Sequence, residues 1–190
     1  MLHTGAILRK DIYQGNAQKI RLPENGKPNL LIMGGSLGAV VINKIVWSAL
    51  TQLCEKWNVI HITGKGKSNS GCQHASYLQF EYLDAPQDVL AWANVVLARS
   101  GSGTVSELLA LKKPAVYIPL PKNESRGDQI QNAEYLKSLG VCEVLPQEKL
   151  NIDNLLATIS QVYKDRYRYI DNCAKQTWID GTNKIINYLK

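Results

Sequence analysis

Two glycine-rich stretches carry the residues whose types and spacing suit chemistry. The first, MGGSLGA at residues 33–39, follows an apolar run and precedes a helix-like one. Glycines there let the backbone turn tightly and approach a ligand, the helix start offers free N–H groups to phosphate, and Ser36 adds a hydroxyl donor. The second, LARSGSGTVSELL at residues 97–109, sets Gly101 and Gly103 ahead of a helix-like run whose single acid is Glu107. Two readings of it stay open. Thr104-x-x-Glu107 has the spacing of a capping box, each side chain satisfying a backbone N–H at the helix start. Alternatively, a phosphate meets the amides of Gly103 and Thr104 while Glu107, one turn further in, bridges two vicinal ribose hydroxyls with its two acceptor oxygens.

Familiar nucleotide motifs do not fit. A dinucleotide fold wants an acid near the end of the second strand to grip a ribose. That strand ends here in ITGKGKS, and although GKS suggests a phosphate loop, the glycine required five residues earlier falls at His61. Cys54, Cys72, Cys142 and Cys173 lie far apart with no CxxC pair, as expected of free thiols in a reducing compartment. His3, His61 and His74 form no ligand-spaced cluster, so neither a metal nor a cofactor is expected; His61, inside VIHIT, reads as a hydrogen-bonded strand histidine.

The elements that must position these residues alternate along the chain. NLLIMGG, VIHITG, LQFEYL, VVLARS, AVYIPLP and VCEVL read as short strands, several of them continuously apolar, as strands covered on both faces are. Between them, Ile42, Ile45, Val46, Ala49, Leu50 and Leu53 recur at helical spacing, an expected helix of about four turns. PQDVLAWA, TVSELLALK, DQIQNAEYLKSLG and NIDNLLATISQVYKD read as further helices. Such alternation implies an α/β fold with a parallel, doubly wound sheet, whose ligands bind at the carboxyl ends of the strands. RLPENGKPN has linker chemistry, so residues 1–28 read as a connector and residues 29–190 as the domain.

With 190 residues, 45% hydrophobic and 20% charged, the chain can bury a full core as an ordinary soluble globular protein. A net charge of +6 suits an anionic partner. Aromatic residues are not interleaved with Lys or Arg in any patch that suggests a base-stacking surface, which argues against nucleic acid. MLHTGAILRK lacks the apolar core of a signal peptide. The long apolar stretch LLIMGGSLGAVVINKIVWSAL is broken by Gly34-Gly35-Ser36 and carries Asn43-Lys44, so a strand, turn and helix fit it better than a membrane span.

GGSLGA, RSGSGTVSELLALKKPAVYIPLP and DQIQNA together resemble the C-terminal domain of the MurG family, and the likeness runs from TGAILR to about residue 160. That family transfers N-acetylglucosamine from its UDP conjugate to lipid I, forming lipid II in peptidoglycan synthesis. The resemblance implies the Rossmann-like C-terminal, donor-binding half of a GT-B glycosyltransferase. By position it places Arg9 at the donor site, Ser36 at the diphosphate, and the Leu83 backbone against uracil. Ser102, Gly103, Thr104, Val105 and Ser106 form the phosphate-side turn, Glu107 holds the ribose, Gln129 reads the hydroxyls of the amino sugar, and Asn132 lies one turn on.

It further implies UDP-N-acetylglucosamine as donor, lipid I as acceptor, and peripheral attachment to the cytoplasmic face of the membrane in the whole enzyme. The acceptor site and general base are expected on an N-terminal half absent from this sequence. Ala6 and Ile7 depart from the family's TGxPxR stretch, and Gly127-Asp128 replaces a histidine common just before the glutamine. Alternatives are a GT-B transferase with another glycolipid or dolichol-linked acceptor, a UDP-N-acetylglucosamine epimerase, and a non-catalytic nucleotide-sugar-binding module. The single acid after Arg99-Ser100-Gly101 argues against the epimerase, whose turn usually reads DSGG followed by paired acids.

Overall fold

The computed structural model describes residues 5–35, 39–176 and 181–188. Six strands form one sheet: β1 (Asn29–Met33), β2 (Asn58–Ile62), β3 (Tyr77–Phe80), β4 (Val95–Ala98), β5 (Ala115–Tyr117) and β6 (Glu143–Val144). Their order is β3-β2-β1-β4-β5-β6 and every pairing is parallel. Between strands run α1 (Val40–Ser48), α2 (Leu50–Lys56), α3 (Pro86–Trp92), α4 (Ser102–Ala110) and α5 (Asp128–Ser138), and after β6 come α6 (Ile152–Lys164), α7 (Arg166–Ala174) and α8 (Thr182–Tyr188).

The apolar strand runs are explained by burial on both faces. Leu30, Ile32, Val95, Leu97, Val116 and Ile118 point to one side, against Ile42 and Val46 of α1, Leu53 of α2 and Leu155, Ile159 and Val162 of α6. Leu31, Val96, Ala98, Ala115 and Tyr117 alternate to the other, against Val89 and Leu90 of α3, Leu108 of α4 and Leu136 of α5. The expected four-turn helix is instead two, because Ala49 (φ −97°, ψ 7°) leaves helical geometry after α1. The apolar spacing runs unbroken through the kink, so periodicity alone does not reveal it.

Residues 5–28 lie along the domain. Short 3₁₀ turns at Lys10–Gln14 and Ala17–Lys19 pack on α3, burying Ile12. Asp88 of α3 accepts from the Asn16 amide (2.8 Å) and the Lys19 ammonium (3.0 Å), which together hold its carboxyl below the usual carboxylate range. Gly15 sits so close that a Cβ there would lie 2.1 Å from the Gln87 carbonyl oxygen. Gly15→Ala therefore lifts this strap from α3 at a cost of about 1–3 kcal/mol, read as a lower urea midpoint with an unchanged slope.

Candidate functional site

β1 and β4 are neighbours, yet the chain leaves β1 toward β2 on one side and β4 toward β5 on the other. A crevice opens where strand order reverses in this way, outside the carboxyl ends of the two strands. Here it is a cleft of about 760 Å³, walled by Gly34, Gly35 and Ala39 after β1 and by Gly101, Ser102, Gly103, Thr104 and Glu107 of the second glycine-rich stretch. Val40 and Val41 of α1, with Arg99, Leu120, Glu124 and Gln129, complete it. Both glycine-rich stretches singled out in the sequence thus meet at one place. Gly35 has φ 85°, a left-handed conformation that glycine adopts without steric cost. Ser36 lies outside the described residues.

At the β4 side, α4 begins three residues before the capping-box reading requires. Gly101 is its N-cap, no side chain caps it, and Thr104 and Glu107 are its third and sixth residues. The capping box is absent. Its first intrahelical bond runs from the Val105 amide to the Gly101 carbonyl (2.9 Å), so the amides of Ser102, Gly103 and Thr104 precede the ladder. They point outward at the positive end of the helix dipole. Nothing lies within 4 Å of a Cβ placed on Gly101 or Gly103, so the space above this turn is open. An anion fits there.

Glu107 is held from another direction. Arg9 Nε and Nη2 each stand 3.3 Å from Glu107 Oε1, and Arg9 Nη1 lies 3.9 Å from Asp11 Oδ2. On the far wall, the Gln129 Oε1 accepts from the Leu120 amide (3.2 Å). That backbone N–H can only donate, which fixes the side-chain amide with its NH₂ available to the cleft.

Three residues tie these walls together. Ser100 Oγ donates to the Gln129 carbonyl (2.8 Å), and Asn132 Nδ2 donates to the Ser100 carbonyl (3.1 Å), joining the start of α5 to the turn after β4. Arg99, 6% exposed, donates from Nη1 to the carbonyls of Ile118 (2.9 Å) and Pro119 (3.0 Å) and from Nη2 to Gln147 Oε1 (2.6 Å). Burial lowers its pKa and the nearby Glu124 carboxylate offsets this in part.

The structure therefore brings Arg9, Ser102, Gly103, Thr104, Glu107 and Gln129 together. Ser106 lines an adjoining groove with Arg9, whereas Val105 is buried on the core side of α4. Ser102–Ser106, expected as the phosphate-side turn, are the first residues of α4. Leu83, half-buried after β3, packs against the core and does not line this cleft, and Asn132 serves as a brace behind it. Arg99, Ser100 and Glu124 were not identified from sequence. Arg99 and Ser100 had one available signal, a basic and a hydroxyl residue ending a buried strand just before the glycines.

Among the described residues no group of His, Cys, Asp or Glu is arranged to hold a metal, and no helix is long and apolar enough to cross a membrane.

Residues 29–186 match the glycosyltransferase family 28 C-terminal domain. Among curated relatives, the UDP-N-acetylglucosamine--N-acetylmuramyl-(pentapeptide) pyrophosphoryl-undecaprenol N-acetylglucosamine transferase of Lachnospira eligens is 41% identical, over 98% of this chain and 54% of its own length. An enzyme of the same name from Bacillus cereus, numbered 3, is 39% identical over 99% of this chain and 55% of its own. The chain thus spans about half the length of these relatives. Solved structures share the fold: Acinetobacter baumannii MurG (TM-score 0.70, 23% identity, 94% of this chain and 52% of that one) and the kitacinnamycin glycosyltransferase (TM-score 0.77, 18% identity, 97% and 48%). By the match over residues 29–186, this chain belongs to glycosyltransferase family 28, where it corresponds to the C-terminal domain.

Proposed function

We propose that this chain is the UDP-N-acetylglucosamine-binding half of an inverting glycosyltransferase that adds N-acetylglucosamine to lipid I, making lipid II for peptidoglycan. One observation carries the reading: at the sheet's switch point, three helix-start amides, a carboxylate and a fixed amide NH₂ converge on one cleft. These are the groups that a diphosphate, a ribose diol and a sugar hydroxyl require. The names of the relatives supply the donor and acceptor.

In this mechanism an acceptor hydroxyl attacks the anomeric carbon from the face opposite UDP, and the departing diphosphate gathers negative charge. The amides of Ser102, Gly103 and Thr104, reinforced by the α4 dipole, stabilise that charge, with Arg9 and Ser36 assisting. Glu107 holds the ribose and Gln129 donates to a sugar oxygen. The acceptor site and general base belong to a second half, which also meets the cytoplasmic face of the membrane. Alone, this chain binds donor and transfers nothing.

Calorimetric titration with UDP-N-acetylglucosamine, UDP-glucose, UDP and NADH tests the assignment. The uridine ligands bind and NADH does not. Glu107→Ala weakens every uridine ligand by roughly 1.5–3 kcal/mol, the range for hydrogen bonds to a charged group. Gln129→Ala costs the sugar nucleotide more than UDP; equal losses would remove its sugar-reading role. Failure of all uridine ligands to bind, or transfer to lipid I by this chain alone, overturns the proposal.

A further inference from the structure

We propose that Arg9 is a specificity-determining residue that sets the site against bare nucleosides and in favour of nucleoside diphosphates, by occupying the Glu107 carboxylate until a phosphate draws it away. The proposal rests on the reading of Glu107 as the ribose-binding acid.

Two nitrogens of one guanidinium converge on a single oxygen, Glu107 Oε1, each at 3.3 Å. A diol that spans both oxygens of that carboxylate must displace them from Oε1. The groove of about 240 Å³ in which the pair sits is lined by Ala6, Leu8, Arg9, Ser102, Gly103 and Ser106. Ser102, Gly103 and Glu107 belong to this groove and to the main cleft alike. The guanidinium therefore lies beside the same first turn of α4 whose amides await an anion.

Ligand chemistry then separates two cases. A nucleoside brings hydroxyl donors for Glu107 but no anion for Arg9, which is left with Asp11 Oδ2 at 3.9 Å. A nucleoside diphosphate brings both, since phosphate oxygens on the α4 amides accept from the planar fork of guanidinium donors. The first ligand loses the ion pair outright and the second exchanges it for a stronger one. The backbone that carries Arg9 is anchored on both sides: Ile12 is buried under α3, and the Ala6 carbonyl accepts from the Gly181 amide (2.9 Å). The exchange is therefore a movement of the half-exposed arginine side chain rather than of its backbone.

Removing Arg9 should consequently act with opposite sign on the two ligands. Uridine, followed by ligand-observed NMR, binds Arg9→Ala about two- to five-fold more tightly than wild type, the measure of a partly exposed ion pair. UDP, followed by calorimetry, binds the same variant at least about ten-fold more weakly. Arg9→Lys keeps the charge without the fork, so uridine stays near its wild-type affinity and UDP loses less than in Arg9→Ala. Melting temperatures of both variants match wild type. If Arg9→Ala weakens both ligands by one factor, or leaves the ratio of their affinities unchanged, this inference is overturned while the donor site stands. If wild type binds neither ligand, the donor-site reading fails and takes this one with it.

Discussion

Arg99→Met lowers the free energy of unfolding by about 3–4 kcal/mol and, at a temperature where the variant is still folded, weakens UDP-N-acetylglucosamine more than Asn132→Ala does. The reason lies in where the guanidinium ends. Its three hydrogen bonds reach the end of β5, the loop that follows and the 3₁₀ turn at Gln147–Lys149, so one side chain fastens three segments beneath the cleft. Methionine fills part of the volume but leaves two buried carbonyls and the Gln147 amide oxygen without a donor. An unsatisfied buried acceptor costs roughly 1–3 kcal/mol, and relief from burying a cation returns part of the sum. Gln147 also donates to Glu124 (3.4 Å), a residue of the cleft wall, so the loosening passes to the site. Chemical denaturation followed by tryptophan fluorescence measures the first effect and calorimetry the second. A loss below about 1 kcal/mol would show that the three carbonyl-side partners find water instead.

How much of this was legible beforehand follows from what each signal depends on. Strand and helix alternation depends on local spacing, and every one of the six expected strands exists, in a parallel doubly wound sheet. The positions of Gly101, Gly103 and Glu107 were equally plain, because glycines ahead of a helix start mark a close backbone approach. The choice between cap and ligand site was not. Both predict the same residues, and the capping box fell only because α4 begins at Ser102, three residues before that reading requires, a boundary that spacing does not fix.

Long-range partners were beyond reach for a different reason. Asn132 was placed at the donor site from its family position, and its Nδ2 donates to the Ser100 carbonyl 32 residues away, a contact that only the packing of α5 beside α4 creates. Leu83 likewise follows β3, and its environment is set by the core beneath it rather than by its own neighbours in sequence. Arg99 offered only its place at the end of a buried strand just before the glycines, which does not name the carbonyls and the Gln147 side chain it joins. Residues whose role comes from a tertiary contact were the ones the sequence concealed.

Lowering the pH from 7 to 4 removes about 3 kcal/mol of stability through His61 alone. The imidazole is fully buried in β2, within a chain of hydrogen bonds of fixed direction. Asn43 Nδ2 donates to the Thr63 carbonyl (2.8 Å), so its Oδ1 must accept from His61 Nε2 (3.0 Å). His61 Nδ1 then accepts from the Tyr77 hydroxyl (2.9 Å), whose oxygen takes the Trp47 indole N–H (3.1 Å). Every member is satisfied while the ring is neutral. A second proton on Nδ1 faces the Tyr77 O–H head-on and charges a group without water.

Burial accordingly pushes the His61 pKa down to about 4 from 6.5. The unfolded chain takes up this proton from pH 6.5 downward and the folded one resists until pH 4, so stability is complete above pH 6.5 and falls as pH drops between those values. The loss is about 2 kcal/mol by pH 5 and about 3 kcal/mol by pH 4. Asp88, whose carboxyl is held low, contributes in the same direction, but only once pH falls below the ordinary carboxylate range. The interval from pH 6.5 to 5 thus isolates the histidine. Because Asn43 and Trp47 lie on α1, the helix that follows the first glycine-rich turn, loss of the chain frees that wall of the cleft as well. Urea unfolding at half-unit pH steps measures the slope, and His61→Gln, which cannot titrate, flattens it across that interval. An equal slope in wild type and variant would place the acid sensitivity elsewhere in the molecule.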